Sequence, residues 1–123
     1  MPIAYWCVLV AALIPYPLIG FAKSGSKVNN RDPRAAQYQG IHRRAFAAHQ
    51  NAFEAFPFFA AAVIIAVTQG APLAVVNTLA VLYVVARLVY AGCYLADLAL
   101  PRSIVWGAAI LLNIAILLSP LWG

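Results

Sequence analysis

Four long apolar stretches, joined by three turns or loops, make up nearly the whole of this chain. Residues 5–22, YWCVLVAALIPYPLIGFA, contain no charged side chain and are about long enough to cross a bilayer as one helix. Pro15 and Pro17 fall inside that stretch. Each removes a backbone donor and crowds the preceding turn, which predicts a bent first span. Residues 23–39 combine Gly, Ser, Asn, Asp and Pro with basic residues and read as a loop. A second helix is predicted over 40–68, longer than a membrane needs at ~1.5 Å per residue, so its first turns should project beyond the bilayer. QGAP at 69–72 predicts a tight uncharged turn, residues 73–96 a third helix, and 103–122 a fourth, with ADLALPRS at 96–103 as the turn between them. The expected fold is an all-α integral membrane protein, a four-transmembrane-helix antiparallel bundle in one domain over 1–123.

Composition supports a lipid environment. Only 9% of the residues are charged while 65% are hydrophobic, against about 25% charged in an average soluble domain, and the mean hydropathy is +0.87. A chain of 123 residues cannot bury so much apolar sequence in a water-soluble core. Eight basic and three acidic residues give a net charge of +5. Six of the eight, Lys23, Lys27, Arg31, Arg34, Arg43 and Arg44, lie in the first loop and its far edge. That asymmetry predicts a cytoplasmic 23–43 loop with both termini outside. It also argues against nucleic acid as a partner, because no stacking aromatics beyond Tyr38 are interleaved with the cations.

Cys7 and Cys93 each sit in an apolar segment without metal-ligand spacing, and are expected to be inert, buried thiols. The N-terminal apolar run lacks the basic start and cleavage site of a secretory signal, so it is expected to be a retained first span. No zinc, nucleotide or haem motif occurs.

Against this apolar background the polar residues stand out. On helical spacing, Arg44, Asn51 and Glu54 share one face of the second helix, with Ala47, Ala48 and Ala55 between them. In the third helix Arg87, Tyr90, Tyr94 and Asp97 share a face as well. A charge at a helix centre in a membrane costs roughly 2.5 to 3.5 kcal/mol on the insertion scale. Glu54 and Arg87 are expected to be mutual partners, either as a register-fixing pair or as part of a working site. Because consecutive helices run antiparallel, the stripes meet in one half of the membrane, where Arg44, Asp97, Arg102 and Ser103 also fall. A cationic, hydroxyl-bearing cleft there suits a small anionic ligand, while the lipid side admits an apolar co-substrate.

The pattern Arg44, His49, Asn51, Glu54, Phe56, Pro57, read as R-x4-H-x-N-x2-E-x-F-P, resembles the second-helix signature of the MAPEG family, membrane-associated proteins in eicosanoid and glutathione metabolism. RLVYAGCY at 87–94 resembles the family's third helix, and PRS at 101–103 is similar to an arginine-serine turn of its prostaglandin E synthases. The chain looks like a bacterial member, which implies an inner-membrane location. The resemblance implies a homotrimer with glutathione as co-substrate between neighbouring subunits near the cytoplasmic face. It also implies a transferase or peroxidase activity toward lipophilic electrophiles or lipid hydroperoxides. Carried over by position, Asn51 and Glu54 hold the glutathione backbone, with Glu54 meeting its amino end or bridging to Arg87. Tyr90 and Tyr94 hydrogen-bond its carboxylates or thiol region, and Arg44, with Lys23, binds carboxylate. Arg102, with Ser103 beside it, is the candidate for thiolate activation, or else an interfacial anchor. His49 matches the pattern in a capping or packing role. Two departures stand out: Ala47 occupies the place of a usual glutathione-binding arginine, and Pro101 that of the catalytic arginine of the leukotriene C synthases.

The alternative is a non-enzymatic membrane scaffold, or a lipid- or small-molecule-binding protein that keeps the fold without glutathione. A four-helix exporter of the small multidrug type has less support, because the first span has no acidic residue between Met1 and Lys23.

Overall fold

The computed structural model describes residues 1–24 and 39–122. Its helices are α1 (Ile3–Leu13), α2 (Pro15–Ser24), α3 (Gly40–Thr68), α4 (Leu73–Leu95) and α5 (Ala99–Leu118), and a short 3-10 turn over Ser119–Trp122 is the last described element. Together α1 and α2 form one span, Ile3–Ser24, so four helical segments are long and apolar enough to cross a membrane. The first span breaks at Ile14, whose N–H still reaches the Val10 carbonyl at 3.1 Å. Neither Pro15 nor Pro17 has an N–H to continue the ladder, and this is the physical reason for the break.

The fourth helix begins at Ala99, ahead of the expected 103. Proline is tolerated in a first helical turn, where its missing N–H would have had no intrahelical acceptor. Pro101 therefore sits within α5, and Arg102 and Ser103 lie in its opening turns rather than before it.

Both turns between the long helices close in the same way. After α3 the Gly70 and Ala71 N–H groups return to the carbonyls of Val67 and Ala66, at 3.2 and 3.0 Å. After α4 the Asp97 and Leu98 N–H groups return to Tyr94 and Cys93, at 3.2 and 2.9 Å. These are Schellman closures, which need one residue in the left-handed region. Gly70 takes it at φ 78°, and Asp97 takes it at φ 59°. At the Gly70 end of the bundle the first turn of α1 is tied to α4, where Asn77 Oδ1 accepts from the Ala4 N–H at 2.9 Å.

The main core uses small residues at the helix contacts: Ala4, Cys7 and Ala11 of α1, Ala62 and Ala66 of α3, Ala80 of α4 and Ala109 of α5. Without a hydrophobic drive inside lipid, such residues let backbones approach and gain dispersion contacts. Between them Phe59 of α3 lies flat on Tyr83 of α4, ring centroids 4.0 Å apart at 14°. The outward faces are apolar too, with Leu100 at 71% and Leu121 at 80% exposure. Such surfaces are stable in acyl chains and costly in water. Cys7 is buried as expected, whereas Cys93 is only half-buried.

Candidate functional site

Helices α3, α4 and α5 bring the polar stripes together. Arg87 of α4 is 4% exposed, and its Nη2 donates to Asn51 Oδ1 of α3 at 2.7 Å. Its guanidinium carbon also stands 4.4 Å from the centroid of the Tyr90 ring. The expected Glu54–Arg87 pair is not formed: among the described residues no ion pair joins them, and Arg87 is held by the amide of Asn51 instead. Seven and three residues along a helix place Arg44, Asn51 and Glu54 on one stripe, but it is Asn51 that faces α4. Glu54 is exposed on the flank of α3.

From Arg87 a ladder of rings and cations leads toward the turn at Asp97. Tyr90 and Tyr94 meet edge to face, centroids 5.7 Å apart, and the Arg102 guanidinium lies 4.2 Å above the Tyr94 ring. Arg87, Tyr94, Arg102 and Glu54 are all within electrostatic reach of the Tyr90 phenol. Cation–π contact fixes the plane of each guanidinium while leaving N–H groups free to bind an anion.

The remaining expected residues take other places. Arg44 donates from Nε to the Leu95 carbonyl at 3.2 Å and so caps the C-terminal end of α4, where a cation also meets the negative end of the helix dipole. Lys23 is half-buried at the end of α2, and Ser103 is exposed beside Arg102 without a hydrogen bond among the described residues. Asp97 occupies the left-handed position of its turn. Lys27, Arg31, Arg34 and Tyr38 lie outside the described residues.

Two histidines on α3, one heptad apart, hold the bent first span. His49 Nδ1 lies 3.0 Å from the Pro15 carbonyl, and His42 Nδ1 lies 3.0 Å from that of Phe21. Both act as donors, which requires the Nδ1–H form. His49 is thereby a clamp on the helix break.

Beside Arg87 a cavity of about 220 Å³ opens among α3, α4 and α5, lined by Asn51, Glu54, Tyr83, Arg87 and, from α5, Trp106 and Asn113. Sequence reasoning passed over Tyr83, Trp106 and Asn113. The signal for Asn113 was nonetheless present, since it is the lone amide in the otherwise apolar C-terminal half of α5.

A family model for MAPEG matches residues 3–122. The chain belongs to the MAPEG family. A comparison with curated proteins gives no match. In this MAPEG chain the arrangement can offer guanidinium donors to carboxylates, a carboxylate to an ammonium group, and a cation close to a thiol. Those are the groups of a small zwitterionic thiol such as glutathione, and the donor set is compatible with it.

Proposed function

We propose that the chain is a glutathione-dependent membrane transferase or peroxidase acting on lipophilic electrophiles or lipid hydroperoxides. The observation that carries this reading is the run of contacts from Asn51 through Arg87, Tyr90 and Tyr94 to Arg102, which links α3, α4 and α5, with Glu54 on the wall of the same cavity as Asn51 and Arg87. In this reading Arg87 and Asn51 hold one end of glutathione, Glu54 takes its ammonium group, and Tyr90 and Tyr94 position the middle. Arg102 stands near the sulfur. A thiol with an ordinary pKa near ~8.5 is mostly protonated at neutral pH, and a close guanidinium favours the thiolate. The thiolate then attacks an electrophilic carbon, forming the C–S bond as the leaving group departs. With a hydroperoxide, two glutathiones give the alcohol, water and the glutathione disulfide.

Two features favour a site completed by neighbouring subunits of a homotrimer. Pockets for drug-sized ligands span roughly 300–1,000 Å³, and the single chain supplies a cavity of about 220 Å³. Glu54, exposed on its helix, lies roughly 21 Å from the Thr68 end of α3, inside the ~30 Å hydrocarbon layer. A carboxylate facing lipid at that depth is costly, and a neighbouring subunit would cover it. In this reading, which the positive-inside pattern favours, this half of the bundle faces the cytoplasm with both termini outside, and the proposed location is a bacterial inner membrane.

Calorimetric titration of glutathione into the detergent-purified protein tests the reading. Wild type should bind saturably in the millimolar range or tighter, and Glu54→Ala should weaken binding at least about tenfold. Arg102→Ala should keep most of the affinity and lose about 100-fold in turnover of an activated aryl halide. An absence of binding at several millimolar glutathione would put the non-enzymatic scaffold first.

A further inference from the structure

A shallow groove of about 290 Å³ runs down the outside of the bundle between α1 and α4, at the end that carries Gly70, and its walls are Ile3, Asn77, Thr78, Val81 and Leu82. It shares no residue with the cavity beside Arg87, and Arg87 itself lies ~15 Å further along α4 at ~1.5 Å per residue. Asn77 is the side chain in this wall with a hydrogen-bond donor to offer. Its Oδ1 accepts from the Ala4 N–H at 2.9 Å, and because a backbone N–H only donates, that bond fixes which end of the amide is which. The Nδ2 donors have no acceptor among the described residues. Thr78 is already engaged, since its hydroxyl donates to the Ala74 carbonyl of its own helix at 2.8 Å. Beyond Asn77 the flank is wholly apolar: Val81, Leu82, Val85, Leu88 and Val89 are each between 43% and 53% exposed and recur at helical spacing down one side of α4.

We propose that the groove seats one diacyl phospholipid of the surrounding bilayer, with a glycerol ester carbonyl accepting from the Asn77 amide and the attached acyl chain lying along the outer side of α4. Depth carries the assignment. The 23 residues of α4 extend ~34 Å and the hydrocarbon layer is ~30 Å thick, so the layer begins ~2 Å inside Leu73 and Asn77 stands ~4 Å within it. Bulk water does not solvate an amide there, and a donor left unanswered in hydrocarbon is costly. The ester groups of phospholipids lie at that boundary, and their carbonyls are acceptors without protons, which is what an amide –NH2 requires. The match continues along the chain. From Asn77 to Val89 the flank runs ~18 Å, close to the ~15 Å of hydrocarbon that one leaflet contributes. Small-molecule sites begin near ~300 Å³, so a groove of about 290 Å³ holds the glycerol and the upper part of one chain and leaves the headgroup in the interface. A second copy of this chain is a poorer occupant, because it would have to present an acceptor at the same depth, where helices satisfy their own carbonyls.

The test is native mass spectrometry of the detergent-purified protein with added palmitoyl-oleoyl phosphatidylcholine, or with its diether analogue of equal chain lengths. The ether lipid keeps the headgroup and both chains but lacks the carbonyls. Wild type should retain one ester lipid per chain, about fivefold more tightly than the ether lipid. Asn77→Leu should level the two by weakening the ester lipid alone. Val81→Trp should displace both lipids, because it fills the groove while Asn77 keeps its bond to Ala4. Leu82→Trp provides a second filling variant should either of the others fail to fold. Equal retention of the two lipids by wild type would overturn the proposal, as would ester-lipid retention that survives the filling variants. Wild type that retains no lipid would overturn it too; if Val81→Trp then changes the number of chains per particle, the groove is a contact between copies instead.

Discussion

The half of the bundle that ends at Gly70 and the half that ends at Asp97 share the same helices but are held by different forces. Toward Gly70 the contacts are mainly apolar, with the Asn77 bond to the Ala4 N–H as the cross-helix side-chain hydrogen bond among the described residues: Phe59, Val63 and Ala66 of α3 pack with Val76 and Ala80 of α4 and Ile116 of α5, each fully buried. Toward Asp97 the helices are joined by side chains that bond to backbone or to one another: His49 to Pro15, His42 to Phe21, Arg44 to Leu95 and Arg87 to Asn51. Apolar packing tolerates any side chains of suitable shape, whereas each polar group requires an answering partner. The polar half is therefore where a ligand can be recognised.

The contrast breaks most sharply at Phe59. Truncation by Phe59→Ala removes the ring stacked on Tyr83 and opens a void in the close-packed half. Soluble cores lose about 3–5 kcal/mol for such a change. The lower end of that range, about 3 kcal/mol, is expected here because lipid rather than water is the alternative surrounding. Thermal or detergent unfolding should show it. The same truncation at Phe53, 46% exposed on the outside of α3, should leave the midpoint almost unmoved.

A smaller effect tests the polar half. His49→Phe keeps an aromatic ring against Phe53 but deletes the donor to the Pro15 carbonyl. Loss of one such hydrogen bond should cost about 1 kcal/mol. It should also loosen the break at Ile14, read as faster backbone hydrogen exchange confined to residues around Pro15 and Pro17. An unchanged exchange pattern would show that the prolines alone set the bend.

These two halves were not equally legible in the sequence. The four spans are readable because lipid penalises every interruption of an apolar run, and the helical spacing of Arg87, Tyr90 and Tyr94 puts them on one face. Pairing across helices is another matter. Charge suggested Glu54 as the partner of Arg87, but a stripe defines a face and leaves open which of its residues meets the neighbour. Ala48 and Ala52 are both buried, so Asn51 lies beside the packed side of α3, whereas Glu54 is exposed. Asn113 was passed over for a related reason: attention to charge misses a neutral amide whose burial depends on three helices at once. Pro101 suggested a turn because proline ends helices more visibly than it begins them.

The smallest effect separates the two turns themselves. Gly70 and Asp97 occupy equivalent positions in equivalent Schellman closures, at φ 78° and 59°. Glycine enters that region without a side-chain clash, whereas an L-residue is strained there by roughly 1–2 kcal/mol, less for aspartate because its short polar side chain can bond locally. Asp97→Gly relieves the strain but frees the unfolded chain, and the two effects partly cancel. A gain of about 0.5 kcal/mol in unfolding free energy is the expected balance, with the Tyr94 and Cys93 carbonyls still closed. If Asp97→Gly instead lowers stability, the carboxylate must supply an interaction beyond the backbone closure. Its position beside the opening turns of α5 would then make it part of the same polar end that holds Arg102.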